Sequence, residues 1–157
     1  MIPGPVHGRD IALAFLGCGR MAERHSRVLR ASPQVARYYA SRDAIRARSM
    51  NAALGGSGAL ASYDDALADE RITCAVVVTP PALHLELVLD ALAAGKDVVV
   101  EKPAFLRSED ADTVAAAARA SGRLVLVAEN YHYKPLATLL REITTSGELG
   151  DVRFVHV

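Results

Sequence analysis

A chain of 157 residues with 51% apolar side chains and a mean hydropathy of +0.16 has the size of one globular domain and enough apolar surface for a substantial core. Its 18 basic and 18 acidic residues cancel to zero net charge, which excludes the basic field that would draw nucleic acid or an anionic membrane surface. Two cysteines, Cys18 and Cys74, are too few for a disulfide framework and lack metal-ligand spacing, so the expectation is no metal and a reducing, cytoplasmic compartment. Residues 1–9, with Pro3, Gly4, Pro5 and Gly8, read as a loose leader rather than a signal or anchor, and no later apolar run is long enough to span a membrane.

The first apolar run, Ile11 to Leu16, reads as a buried strand and leads directly into Gly17-Cys18-Gly19-Arg20-Met21-Ala22. A strand that ends in G-x-G-x-x-A and opens a helix is the form of a dinucleotide phosphate site at the start of a doubly wound sheet. Gly17 allows the tight turn, Gly19 keeps the backbone bare for a pyrophosphate, and small Ala22 lets the helix close on the strand. The free N–H groups and dipole of the helix's first turn then favour an anion.

Met21, His25, Val28 and Leu29 recur at helical spacing and are expected to face inward, which makes His25 a packed histidine rather than a ligand. Val35 to Ala40 reads as the second strand. The position about 20 residues beyond the glycine motif normally meets the adenosine ribose. Here it reads Ser41-Arg42, a hydroxyl and a guanidinium, which suit a 2'-phosphate and make NADP the expected cofactor ahead of NAD. The alternative is that Arg42 is a surface charge and Asp43 binds a ribose diol. Asp43 to Leu54 continues as a helix that stops at Gly55, a very short strand follows at Ala59-Leu60, and Ser62 starts a helix with Ala66 and Leu67 inward. Tyr63 is expected to pack rather than catalyse.

Cys74 to Val78 is apolar without alternation, as in a strand buried on both faces. It ends in Thr79-Pro80-Pro81, and the following helix puts Leu85, Val88, Leu89 and Leu92 on one face before Gly95. Ligands of open parallel sheets gather at the carboxyl ends of strands, so Thr79, Pro80 and His84 share a rim with Gly17 and Ser41. For His84 two readings stand: a donor near cofactor or substrate, or a capping or surface histidine. Asp97 to Val100 is the next strand and carries Glu101-Lys102-Pro103 at its end, where a cis peptide bond before Pro103 is one way to fix the loop. Ser108 is placed as the cap of a helix with Ala111, Val114, Ala115 and Ala118 in an apolar stripe. Leu124 to Ala128 reads as a sixth strand, Pro135 opens a helix with Leu136, Leu139, Leu140 and Ile143 on one face, and Val152 to Val157 reads as the start of another strand. The expected architecture is α/β: a doubly wound parallel sheet over residues 10–150, with 151–157 beginning a second domain.

In their order, Gly17 to Ala22 with His25, Thr79-Pro80-Pro81 with His84, Glu101-Lys102-Pro103, and Gly147-Glu148-Leu149-Gly150-Asp151-Val152 resemble the N-terminal Rossmann domain of the glucose-fructose oxidoreductase / inositol dehydrogenase / MocA family of NAD(P)-dependent oxidoreductases. The resemblance implies hydride transfer between nicotinamide and a hydroxyl or ketone carbon of a sugar, cyclitol or related polyol. It implies that Lys102 lies between nicotinamide and substrate hydroxyl, as catalytic, cofactor-binding and substrate-binding residue. Gly17, Cys18, Gly19, Arg20 and Met21 would then form the phosphate turn, Thr79, Pro80 and His84 would line the cofactor groove, and Glu101 would contact the nicotinamide side. Asn130 and His132 are the residues it implies for substrate. Relatives continue into a second, α+β substrate domain, of which only the first strand is expected here. The alternative from another class is a dinucleotide-binding module without chemistry, which works with a separate partner chain. An unpaired strand with Val155 and Val157 on one side would expose an edge and invite a homo-oligomer.

Overall fold

A computed structural model describes residues 11–154; residues 1–10, which include the expected leader, and 155–157 lie outside the described residues. Six parallel strands form one sheet: β1 (Ile11–Leu16), β2 (Val35–Ala40), β3 (Gly58–Leu60), β4 (Cys74–Val77), β5 (Asp97–Val100) and β6 (Val125–Val127). Their order is β3-β2-β1-β4-β5-β6, so the chain runs outward from the centre on one side and then returns to wind outward on the other. That is the doubly wound Rossmann-type arrangement the sequence implies.

Side chains of a strand alternate between the two faces, and helices cover both faces of the sheet at β1 and β4, whereas Leu126 and Val127 of β6 are exposed. Ala14 and Leu16 of β1 join Ala75 and Val77 of β4 and Val98 and Val100 of β5 in one core. Over it lie α3 (Tyr63–Ala68), α4 (His84–Ala93) and α5 (Ser108–Ser121), through Ala66, Leu67, Leu87, Val88, Ala91, Leu92 and Val114. Phe15, Tyr39 and Val76 point the other way and meet α1 (Arg20–Leu29) and α2 (Ala44–Leu54) through Ala22, Ala47 and Leu54. Phe15 and Tyr39 stack with ring centroids 5.6 Å apart, which joins β1 to β2 on that face.

The inward face of α1 differs from the expected one. Ala22 and Ser26 are its buried residues, whereas Val28 is 70% exposed. Ser26 is drawn inside by polar partners that no helical period reveals. Its hydroxyl pairs with the Tyr39 hydroxyl, and Arg37 Nη1 donates to Ser26 O at 3.0 Å and Oγ at 3.1 Å. Ser108 is the first residue of α5 rather than its cap; Arg107 holds the capping position and makes no side-chain capping bond. Glu109 and Asp110 still place negative charge in the positive first turn.

One compact unit runs to Val127 and a second begins at Ala128. The second contains a 3-10 turn, Tyr131–Tyr133, and α6 (Pro135–Thr145), with Pro135 in the first turn as expected. Val152 to Phe154 carry no strand, and the rest of that expected strand lies outside the described residues. Among the described residues no helix is long and apolar enough to cross a membrane.

Candidate dinucleotide and lysine site

The glycine turn begins where β1 ends. Gly17 has φ +114°, and its N–H donates to Ala40 O at 2.9 Å, which closes the turn against β2. A Cβ here would sit 3.1 Å from Val78 O and 3.3 Å from Thr79 Cγ2, so this position needs glycine for conformation and for space. Gly19 is different. It takes the N-cap of α1 in an extended conformation open to any residue, and a Cβ there would meet nothing within 4 Å. No side chain caps the helix, so its leading N–H groups face the open space in front of Gly19. Arg20 and Met21 are the first two residues of α1. Between the glycines, Cys18 turns its thiol toward Ala40 O at 3.5 Å. Burial pushes that thiol up to about 11 against the opposing pull of Arg46, so it is neutral near pH 7 and contributes shape rather than a nucleophile.

At the end of β2, Ser41 is buried and its Oγ accepts from Asp43 N–H at 3.2 Å, while Arg42 is exposed. Asp43 caps α2: Oδ1 accepts from Ile45 N–H at 2.9 Å, and Oδ2 faces Arg46 Nε at 3.7 Å. The Asp43 carboxylate thus caps its own helix with its side chain 53% exposed, and Arg42 beside it is exposed as well. Tyr63 stands beside this corner. Burial raises its phenol, and Arg42 opposes that rise through its charge and backbone N–H. The sequence placed Tyr63 among packing residues, and only the fold brings it to Arg42.

The register sets the rest of the rim. Leu16 pairs with Val77 and Val77 with Val100, so the residues that follow each strand emerge on one carboxyl edge. Val78 N–H donates to Leu16 O at 3.1 Å and Glu101 N–H to Val77 O at 2.9 Å, which extends the alignment one step beyond the strands. Gly17 and Glu101 are thus separated by two strand spacings, about 10 Å, a distance a dinucleotide bridges. Thr79 lies against the glycine turn, and its buried Oγ1 has no hydrogen-bond partner among the described residues. An orphan hydroxyl next to an uncapped helix N-terminus and an empty glycine face fits a polar ligand with phosphates. Pro80 precedes a 3-10 turn, Pro81–Leu83, that leads into α4.

His84 is neither a surface nor a capping residue. It is 1% exposed, with Nε2 2.8 Å from Thr79 O and Nδ1 3.1 and 3.0 Å from Pro103 O and Ala104 O. The ring clamps the loop after β4 to the loop after β5, two segments that emerge on the same carboxyl edge of the sheet. His84→Leu removes the donor from these carbonyls, and we expect a loss of about 2–3 kcal/mol in urea unfolding. A loss within about 0.5 kcal/mol, the range of ordinary surface changes, would contradict the clamp.

Lys102 follows β5 and is exposed on this rim, and the Lys102–Pro103 peptide is cis. Its neighbour Glu101 is 8% exposed and both carboxylate oxygens are engaged: His25 Nε2 donates to Oε1 at 2.8 Å and Lys102 N–H to Oε2 at 2.7 Å. Asn130 and His132 belong to the second compact unit, Asn130 just before the 3-10 turn and His132 within it. Among the described residues no group of three or more His, Cys, Asp or Glu could hold a metal.

The family Gfo/Idh/MocA, described as an oxidoreductase family with an NAD-binding Rossmann fold, matches residues 11–129. Inositol 2-dehydrogenase 2 of Saccharopolyspora erythraea is 31% identical over 147 residues, which cover 92% of this chain and 43% of the relative. The dTDP-3,4-didehydro-2,6-dideoxy-alpha-D-glucose 3-reductase of Streptomyces violaceoruber is 33% identical over 150 residues, again 92% of this chain and 43% of the relative. A crystal structure of a 3-ketoreductase from Actinomadura kijaniata in complex with NADP aligns with a TM-score of 0.85 at 28% identity, covering 92% of this chain and 47% of that one. The chain spans under half the length of these relatives.

Proposed function

The chain belongs to the Gfo/Idh/MocA oxidoreductase family and carries its NAD(P)-binding Rossmann domain, and from that premise we propose that it serves hydride transfer between NADP and a sugar, cyclitol or related polyol. One observation carries the reading: an exposed lysine, an uncapped helix N-terminus and an orphan buried hydroxyl share one edge of the sheet. A bound nicotinamide supplies the hydride donor or acceptor. The chain's own residues do the rest. The leading N–H groups of α1 hold the pyrophosphate, the Thr79 hydroxyl gains a partner, and Ser41 and Arg42 hold the 2'-phosphate. Lys102 lies against the reacting oxygen, where its cation stabilises a developing alkoxide and its amine moves the proton. Relatives named as an inositol dehydrogenase and a sugar-nucleotide 3-reductase support a ring hydroxyl or ketone as the reacting group. Two unpaired cysteines fit a cytoplasmic setting.

Titration with NADPH and NADH, followed by cofactor fluorescence, tests the phosphate preference. Arg42→Ala is expected to weaken NADPH about ten- to a hundredfold, the worth of a charge-assisted contact to phosphate, and NADH less than about twofold. A wild-type chain that prefers NADH, with no response to Arg42→Ala, would return the ribose to Asp43.

A further inference from the structure

We infer that His25 is a positioning residue for Lys102, acting through Glu101, and that this contact ties the phosphate-binding helix to the lysine on the far side of the groove. His25 lies on α1, five residues after Arg20, and Glu101 lies 76 positions further along the chain, so only the folded sheet brings them together. The Glu101 side chain is 10% exposed and that of His25 34%, so the carboxylate has little water to turn to and the imidazole closes it off from solvent. The 2.8 Å bond fixes one oxygen, and with it the rotation of the carboxylate. The other oxygen is thereby directed at the next N–H of its own chain, the amide of Lys102, at 2.7 Å. Hydrogen bonds to an ionised acceptor are short and strong, so this one holds the peptide from which the lysine side chain springs. On the other side of Lys102, His84 holds Pro103 and Ala104.

In the bland alternative the pair only satisfies a buried carboxylate and leaves the Lys102 peptide indifferent to His25. The inference rests on the catalytic role proposed for Lys102, yet its test needs neither cofactor nor substrate. A missing NADPH response would therefore overturn that role and leave this contact standing.

Amide hydrogen exchange in the full chain, read by NMR as the ratio of the Lys102 rate to the Glu101 rate, separates the two readings. The Glu101 amide is bonded to Val77 O and provides the reference within the same loop. His25→Ala is expected to raise the ratio about tenfold, the change that goes with losing one hydrogen bond's worth of local stability. His25→Gln keeps an N–H donor at similar reach and is expected to return the ratio to within about threefold of wild type, whereas His25→Asn is too short and should behave as alanine. A ratio that His25→Ala does not move, with both amides losing protection together or neither, overturns the inference. So does a glutamine variant that exchanges like alanine, since a merely structural histidine gives no such rescue.

Discussion

Gly19→Asp is expected to move stability and cofactor binding in opposite directions. The residue occupies the N-cap of α1 with φ −100° and ψ −172°, which aspartate adopts readily, and its Cβ would project into open space. Aspartate is among the best capping residues, so urea unfolding should show unchanged or higher stability, by up to about 1 kcal/mol. The same carboxylate takes the leading N–H groups of α1 and sets a negative charge where the pyrophosphate would lie. Like charges so juxtaposed cost several kcal/mol, so NADPH and NADH should both weaken by at least about a hundredfold. Gly17→Ala provides the contrast. At φ +114°, with Val78 O only 3.1 Å from the added methyl group, it should destabilise the chain by about 1–3 kcal/mol and lose binding with the fold. Equal binding by Gly19→Asp and wild type would remove the phosphate site from this turn.

Lys102→Met is expected to leave the cofactor titration within about twofold and to lower hydride transfer to or from a polyol by about 10²–10⁴-fold, the usual share of a positioned acid or base. The side chain is exposed at the end of β5, so methionine replaces its charge without opening a cavity. Stability should accordingly change by less than about 0.5 kcal/mol. Loss of turnover with intact NADPH binding places Lys102 in the chemistry. Turnover equal to wild type would leave the amine without a part in it.

Strands were the legible elements. β1, β2 and β5 begin and end where expected: β1 is an uninterrupted apolar run, β2 carries the β-favouring Tyr38 and Tyr39 beside Arg37, and β5 is three valines opened by Asp97. β4 and β6 each lose a residue where the chain starts to turn, at Val78 and Ala128, and β6 also starts one residue later, at Val125. The inward face of α1 was not legible, since Ser26 is buried by the Tyr39 hydroxyl and the Arg37 guanidinium, partners on another element. The histidines show the same limit more sharply. Spacing alone puts His25 on a helix face and His84 in a first turn. What each does depends on acceptors elsewhere in the chain: Glu101 for His25, and Thr79, Pro103 and Ala104 for His84. The glycine turn was legible because its physical demands fall within one short stretch, whereas the Arg42–Tyr63 corner joins the loop after β2 to the first residue of α3.

Adding NADPH to the ¹⁵N-labelled chain shows whether one carboxyl edge of the sheet holds the dinucleotide. The amides of Gly17 to Met21, Ser41, Arg42, Thr79, Glu101 and Lys102 should shift together and saturate together, while Asp69, Arg71 and Lys96, whose contacts lie away from that edge, stay in place. Shifts confined to that second group, or a folded chain in which no amide responds, would contradict that placement.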